Sequence, residues 1–279
     1  MRKTRMSIAL LAGAVTCAIV ASVALAATIT GTRRGEHLVG TSQADTIDAR
    51  GGNDTVDALA GDDTVNAGWG HDRVHAGLGD DTVRGGDGAD RLFGGPGNDQ
   101  MGGGFGRDAL FGGLDNDTLG GGPNADRVFG GAGNDTSYGG PGNDRMFGGS
   151  GDDTQYGGAG NDLILANKGV DHSFGGPGND RLWAVARGDV QPGLNGEVDI
   201  TGDSLDGGPG DDRIHTRDGE VDTVTCGDGH DVAILDKVDV IGDATPQNPD
   251  GSCEVVKRAD PKPSDTAPEP DTSEENPQQ

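Results

Sequence analysis

The chain has 279 residues, with 21 Lys and Arg against 47 Asp and Glu, a formal net charge of −26. Aromatic residues make up 4% and hydrophobic residues 32%. That balance leaves too little apolar surface for one self-sufficient core, and it opposes the phosphate neutralisation that nucleic-acid binding requires.

Arg2, Lys3 and Arg5 precede an apolar run from Ile8 to Ala27, and Ala24-Leu25-Ala26 is an A-x-A cleavage signal. Residues 1–26 read as a secretory signal peptide cut after Ala26, with an uncleaved membrane anchor as the alternative reading. Cleavage removes three positive charges and leaves −29, from 18 basic and 47 acidic residues. Cys17 lies inside the run, but Ala14-Val15-Thr16 before it is a poor lipoprotein signal. Residues 27–44 form an N-terminal cap, in which Glu36 stands nine residues before Asp45 and Leu38 takes an inward position.

From Asp45 to Asp180 sixteen aspartates stand nine residues apart without a miss. A fixed short period over that length means stacked coils. The surrounding pattern is Gly-Gly-x-Gly-x-Asp-x-apolar-x, with nine full copies ending at Asp90, Asp99, Asp108, Asp135, Asp144, Asp153, Asp162, Asp180 and Asp212. Each copy predicts a glycine turn and a three-residue strand with one inward side chain, such as Val56, Leu92 or Ile164. Asp54, Asp63, Asp72 and Asp81 lack the full double glycine. Asp115 and Asn124 replace the last glycine in two copies, and Ala166-Asn167-Lys168 replaces another turn. Asn124 is compatible with a left-handed backbone.

The regular roll spans 45–189, Asp189 keeping register once more. A loop insertion follows at 190–202, adding five residues beyond the period, before Asp203 and Asp212 resume it. Residues 203–258 hold terminal coils. Two cysteines remain after the signal, Cys226 and Cys253, and two cysteines in an exported chain read as one disulfide closing the exposed edge. Residues 259–279, rich in Pro, Asp, Glu, Ser and Thr, read as a disordered acidic tail.

The repeats resemble the hemolysin-type (RTX) calcium-binding repeat, GGxGxDxUx, over residues 31 to about 256. The resemblance implies an all-β fold, a parallel β-roll wound as a right-handed solenoid, with two nonapeptides per coil and two facing parallel sheets. It also implies Ca2+ in the turns, held by aspartate side chains and backbone carbonyls. The residues suit that ion: calcium takes six to eight oxygens, and aspartates eighteen apart sit one strand spacing, ~4.8 Å, from each other. The metal ligands expected are Asp72, Asp81, Asp90, Asp99, Asp108, Asp117, Asp126, Asp135, Asp144, Asp153, Asp162, Asp180 and Asp212, paired across coils as in Asp90 with Asp108. Without calcium the chain should be expanded, and with it binding and folding become one event.

A second period of eighteen distinguishes the outer faces. One shows Thr46, Thr64, Thr82, Gln100, Thr118 and Thr136; the other shows arginines beside aromatics, namely Arg91, Phe93, Phe111, Arg127, Phe129, Arg145, Phe147, Arg181 and Trp183. Such a face is either β-formers stacking on themselves or a binding face for a cell surface, a carbohydrate or a second copy. Ser137, Gln155 and Ser173 stand at inward positions, which requires a polar interior or a shift of register. No HExxH and no GxSxG occurs, and the repeats leave no room for a catalytic domain. The reading is a secreted, extracellular, non-enzymatic calcium-binding roll with no membrane span after signal cleavage; a calcium-dependent adhesin or surface protein is the alternative.

Overall fold

The computed structural model describes residues 25–184, 201–216, 220–244, 248 and 251–258. The signal segment up to residue 24, most of the expected insertion and the acidic tail lie outside the described residues. The chain divides into two compact units, Met1–Arg145 and Met146–Gln279.

Each unit is a parallel β-roll. In the first unit one sheet stacks Thr28–Thr30, Thr46–Asp48, Thr64–Gly70, Thr82–Gly88, Gln100–Phe105, Thr118–Gly120 and Thr136–Pro141 in chain order. The other stacks His37–Val39, Thr55–Asp57, Arg73–His75, Arg91–Pro96, Ala109–Leu114 and Arg127–Ala132. Partners are eighteen residues apart, as in Thr64↔Thr82 and Arg91↔Ala109, so two nonapeptides make one coil. In the second unit the first sheet holds Thr154–Ala159, His172–Phe174, Thr201–Asp206, Val221–Thr225 and Val240–Ile241. Its second sheet holds Leu163–Lys168, Arg181–Trp183, Arg213–Thr216, Val232–Leu235 and Val255–Arg258. The described residues contain no helix.

Many strands run longer than the three residues expected, as in Thr64–Gly70. A second inward position lies four residues after each aspartate. Ala49, Ala58, Ala67 and Ala76 fill it in the early coils and are fully buried, beside Val56, Val65, Val74 and Val83. Glycine takes it over from Gly85 to Gly157. A pair of small and branched side chains per strand gives a thin but continuous core once coils stack.

Three expectations need correction or refinement. Ser137, Gln155 and Ser173 keep their register, Leu119↔Ser137 and Gln155↔Ser173, and all are buried, so the interior is polar there. With its nitrogen towards Ser173 Oγ (3.2 Å) and Leu165 O (3.3 Å), and its oxygen towards Gly148 N (3.0 Å), the Gln155 amide makes three bonds. Asp189 lies outside the described residues; to either side of it His172 pairs with Ser204 and Arg181 with Arg213. Their separation of 32 exceeds the period of 18 by 14 residues. Phe147 is not part of an exposed face: it is 5% exposed.

The second unit ends in a built cap. Cys226 and Cys253 form a disulfide with Cα atoms 5.1 Å apart. Ser252 Oγ accepts from the Cys226 and Gly227 N–H groups at 2.9 and 3.0 Å. Arg258 donates to Asp239 O at 2.9 Å. These groups occupy donors and acceptors that a last coil would otherwise leave open.

Candidate metal centre

The aspartates form a ladder inside the turns. Each lies at 0–3% exposure from Asp45 to Asp231. In the first unit the N–H of one aspartate donates to Oδ1 of the aspartate one coil later: Asp54 to Asp72 (2.7 Å), Asp63 to Asp81 (2.7 Å), Asp72 to Asp90 (2.8 Å), Asp81 to Asp99 (2.8 Å) and Asp90 to Asp108 (2.8 Å). Asp99 to Asp117, Asp108 to Asp126, Asp117 to Asp135 and Asp126 to Asp144 continue it at 2.7–2.8 Å. In the second unit Asp153 bonds Asp171, Asp162 bonds Asp180, and Asp180 bonds Asp212 at 2.7–2.8 Å. Asp171 reaches Asp203 at 2.9 Å across the long insertion.

The second carboxylate oxygen tells the other half. Oδ2 is buried without a hydrogen-bond partner at Asp54, Asp63, Asp72, Asp81, Asp90, Asp99, Asp108, Asp117 and Asp126, and in the second unit at Asp171, Asp180, Asp212 and Asp231. One buried orphan oxygen is costly, and a column of them calls for a cation. At full-motif copies this oxygen faces the first glycine of the turn. A Cβ placed on Gly85 would lie 2.5 Å from Gly103 O and 2.6 Å from Asp90 Oδ2. On Gly103 it would lie 2.5 Å from Asp108 Oδ2 and 2.6 Å from Gly121 O; on Gly175, 2.5 Å from both Asp180 Oδ2 and Gly207 O. No methyl fits there, so only glycine lets the carboxylate and a carbonyl of the next coil converge this closely, and both are oxygens of the kind calcium takes. Carbonyl and carboxylate oxygens are also the hard donors this ion selects.

Asp54, Asp63, Asp72, Asp81 and Asp171 differ, because Ala49, Ala58, Ala67, Ala76 and Ala166 stand at that glycine's place. The ladder hydrogen bond survives there, but a methyl occupies the cradle. The last glycine is needed for another reason. Gly88 has φ +153°, and a Cβ on it would drive into Gly70 O of the preceding coil. Asp115 and Asn124 hold that position at φ 73° and 92°, the left-handed conformation expected for Asn124.

The carboxyls record the strain. Burial, followed by the like charge of ladder neighbours, outweighs the backbone hydrogen bond. It pushes Asp63, Asp81, Asp90, Asp126, Asp180 and Asp212 up to about 7. Asp117 reaches about 8 for the same reasons. Asp171 reaches about 9, through burial and then the charge of Asp203. Carrying one carboxylate from 3.8 to about 7 costs about 4 kcal/mol at neutral pH. The ionised column therefore needs positive charge to exist at pH 7.

The ladder begins where protein donors replace that need. Glu36 accepts from Thr32 N (2.7 Å) and Thr32 Oγ (2.8 Å), and Asp45 Oδ2 accepts from Thr41 N (2.5 Å). Both threonines stand where later copies carry the second glycine. Near the far end, Asp239 Oδ2 accepts from Thr216 Oγ (2.6 Å) and Asp236 N (2.7 Å).

Two features escaped the sequence reading. A second ladder runs one residue earlier with the opposite polarity: His71 N donates to Asn53 Oδ1, Asn98 N to Asp80 Oδ1, Asn116 N to Asn98 Oδ1 and Asn134 N to Asn116 Oδ1. The recurring Asn or Asp before each aspartate was its signal. The other is a carboxylate trio, Asp203, Glu220 and Asp222, all buried with ligand oxygens within 4.8 Å of one another. Glu220 stands where a glycine would normally precede Asp222, and spacings of 19 in place of 18 mark the region.

Of the expected outer-face residues, Arg91 and Arg181 are exposed, while Arg127, Arg145, Phe93, Phe111, Phe129 and Trp183 are half-buried. Phe93, Phe111 and Phe129 stack with centroids 4.8 Å apart, and Trp183 stacks on His215 at 4.3 Å.

The family described as RTX calcium-binding nonapeptide repeat (4 copies) matches residues 30–65, 66–101, 84–119, 102–137, 120–155, 147–182 and 200–233. The chain belongs to this family. No curated protein matches the chain. Among solved structures it is similar to a hyperactive, Ca2+-dependent, β-helical antifreeze protein from an Antarctic bacterium, at 19% identity and TM-score 0.33, covering 84% of this chain and 96% of that one.

Proposed function

We propose that this RTX-repeat chain is a secreted, non-enzymatic protein whose β-roll forms as calcium fills the aspartate turns. The observation that carries the reading is the column of buried, partnerless Oδ2 atoms facing open glycine cradles. Asp90, Asp99, Asp108, Asp117, Asp126, Asp135, Asp144, Asp153, Asp162, Asp180 and Asp212 would hold the ions, with carbonyls of the next coil as further ligands. Asp72 and Asp81 remain in the set with weaker binding, because Ala67 and Ala76 fill their cradles. Bound calcium supplies the positive charge that the column lacks. The chain's own part is to hold each carboxylate by one oxygen, leave the other free, and exclude water by stacking coils.

Affinity in the range of extracellular modules, ~10⁻⁴–10⁻³ M, fits a site whose assembly is coupled to folding. The basic-apolar amino terminus with its A-x-A signal and the Cys226–Cys253 disulfide support export to an oxidising, calcium-rich medium. The test is far-UV circular dichroism during a calcium titration, with magnesium as control. A cooperative coil-to-β transition with calcium alone is expected. A chain already folded in chelator at pH 7 would reduce the aspartates to turn formers and refute the reading.

A further inference from the structure

The outer face of the second sheet in the first unit carries a pattern that the aspartate column does not use. Arg73, Arg91 and Arg127 stand in one in-register row, interrupted by Ala109. Beside them runs the row His75, Phe93, Phe111 and Phe129. Their rings stack at 5.0, 4.8 and 4.8 Å between centroids, with tilts of 25°, 6° and 2°. Stacked this way the rings cover one another's faces, and the side of the row turned to solvent is ring edge. Ring edges are the positive part of the aromatic quadrupole. The Arg73 guanidinium lies 5.0 Å from the Phe93 ring centre and its Nε donates to His75 Nε2 at 3.2 Å, which ties the two rows together.

The only carboxylate in these two rows, Asp57, sits at their end and is engaged by His37 Nε2 (2.6 Å) and His75 Nδ1 (2.8 Å). The matching row on the opposite sheet is uncharged, with Thr46, Thr64, Thr82, Gln100, Thr118 and Thr136. In a chain of net charge −26, three guanidinium groups and a stack of electropositive ring edges thus share one face, with one coil skipped at Ala109.

We infer that this strip docks a linear acidic polysaccharide. Neutral sugars and unpaired bases both recognise aromatic residues through open ring faces, and here those faces are covered by the stack. Carboxylate or sulfate groups need only guanidinium forks and ring edges, which the strip repeats along one line. A polyanion of regular charge spacing complements it, and the acidic remainder of the surface confines the partner to this face. The inference goes beyond calcium binding and draws on the coils only as the scaffold that sets the spacing.

Calorimetry on the full chain tests it with heparin as probe, and with dextran and oligothymidylate as comparisons, in calcium and again in chelator. Heparin should bind, dextran should not, and the affinity should fall as salt rises. The double substitution Arg91→Ser with Arg127→Ser should weaken heparin binding about thirtyfold, roughly fivefold for each arginine, with the circular dichroism spectrum unchanged. If Arg127→Ser alters the spectrum, the exposed Arg91→Ser alone reports a loss of about fivefold. A folded protein that ignores heparin, or arginine variants that bind it as the parent does, overturns the inference. Oligothymidylate binding as tight as heparin, with the same arginine dependence, overturns the polysaccharide assignment in favour of nucleic acid. Heparin binding through these arginines by a protein folded in chelator keeps the docking strip and removes the calcium reading.

Discussion

Replacing Asp90 with Asn should change the sign of its effect when calcium is added. Asp90 Oδ1 accepts the Asp72 N–H at 2.8 Å, and an asparagine oxygen preserves that bond. Its Oδ2 has no partner, and the Gly85 cradle beside it also opens on Gly103 O. An amide nitrogen there gains an acceptor and loses a charge. Burial and the carboxylates of Asp108 and Asp72 hold the Asp90 carboxyl at about 7. Its folded value lies above its unfolded one, so its ionisation subtracts stability. The loss starts near pH 4 and is complete above pH 7. In chelator at pH 8, Asp90→Asn should therefore favour the folded state by up to about 4 kcal/mol. In calcium the same change removes a ligand oxygen and a charge, and the calcium midpoint should rise about tenfold. The assay is circular dichroism at 218 nm, in chelator with increasing trimethylamine oxide to draw out folding, and in a calcium titration. A variant less able to fold than its parent in chelator would refute the argument, because hydrogen bonding and not charge would then dominate the ladder.

The ion-free protein should gain β-structure as pH falls from 8 to 4 in chelator, since protonation relieves carboxyls held at about 7 to 9; a flat profile counts against the raised values. Gly103→Ala puts a methyl 2.5 Å from Asp108 Oδ2 and 2.6 Å from Gly121 O, so it should cost about 1–3 kcal/mol and lower the calcium count in equilibrium dialysis. The reverse change, Ala67→Gly beside Asp72, should raise calcium affinity, and identical titrations would show that the cradle does not set it. Cys226→Ser with Cys253→Ser opens a 27-residue separation and should lower the stability of the calcium-loaded protein by ~3.5 kcal/mol in urea unfolding. Leu59 sits at φ 85°, so Leu59→Gly should stabilise the loaded roll by about 1 kcal/mol; a loss would mean that the Leu59 side chain, 49% exposed, packs more than its exposure implies.

The nine-residue register was enough to read the inward Val, Leu and Ile positions and the aspartate column, because each follows from strand alternation and a constant repeat; the coil of two nonapeptides rested on the family resemblance. The glycine pattern misdirected one part. Asp54, Asp63, Asp171 and Asp231 stand outside the ligand set expected from sequence, yet they carry the same partnerless oxygen as Asp90. Glycine at the head of the turn measures room for an ion, whereas the ladder bond depends only on coil stacking, so the two need not coincide. The count of nine did not show that Arg181 pairs with Arg213, because spacing along the chain does not reveal which strands pair across an insertion. Phe147 read as outward from alternation, and only the packing of adjacent rows shows that outward need not mean accessible.

The two ladders together separate hydrogen bonding from charge as the reason for aspartate. Both offer one side-chain acceptor per coil to a backbone N–H. In the ladder one residue earlier that acceptor is Asn53, Asp62, His71, Asp80, Asn98, Asn116, Asp152, Asn161 or Asn179. Amide, imidazole and carboxylate serve there alike, since the bond asks only for a lone pair. In the column itself the residue is aspartate at sixteen consecutive places. Asparagine would make the same bond at each of them and, at Asp90, avoid about 4 kcal/mol of buried charge. A chain that accepts the costlier residue at every coil, while tolerating the cheaper one next door, uses the charge itself. Among ligands able to repay it, a hard divalent cation matches both the carboxylate and the carbonyl turned into the same cradle.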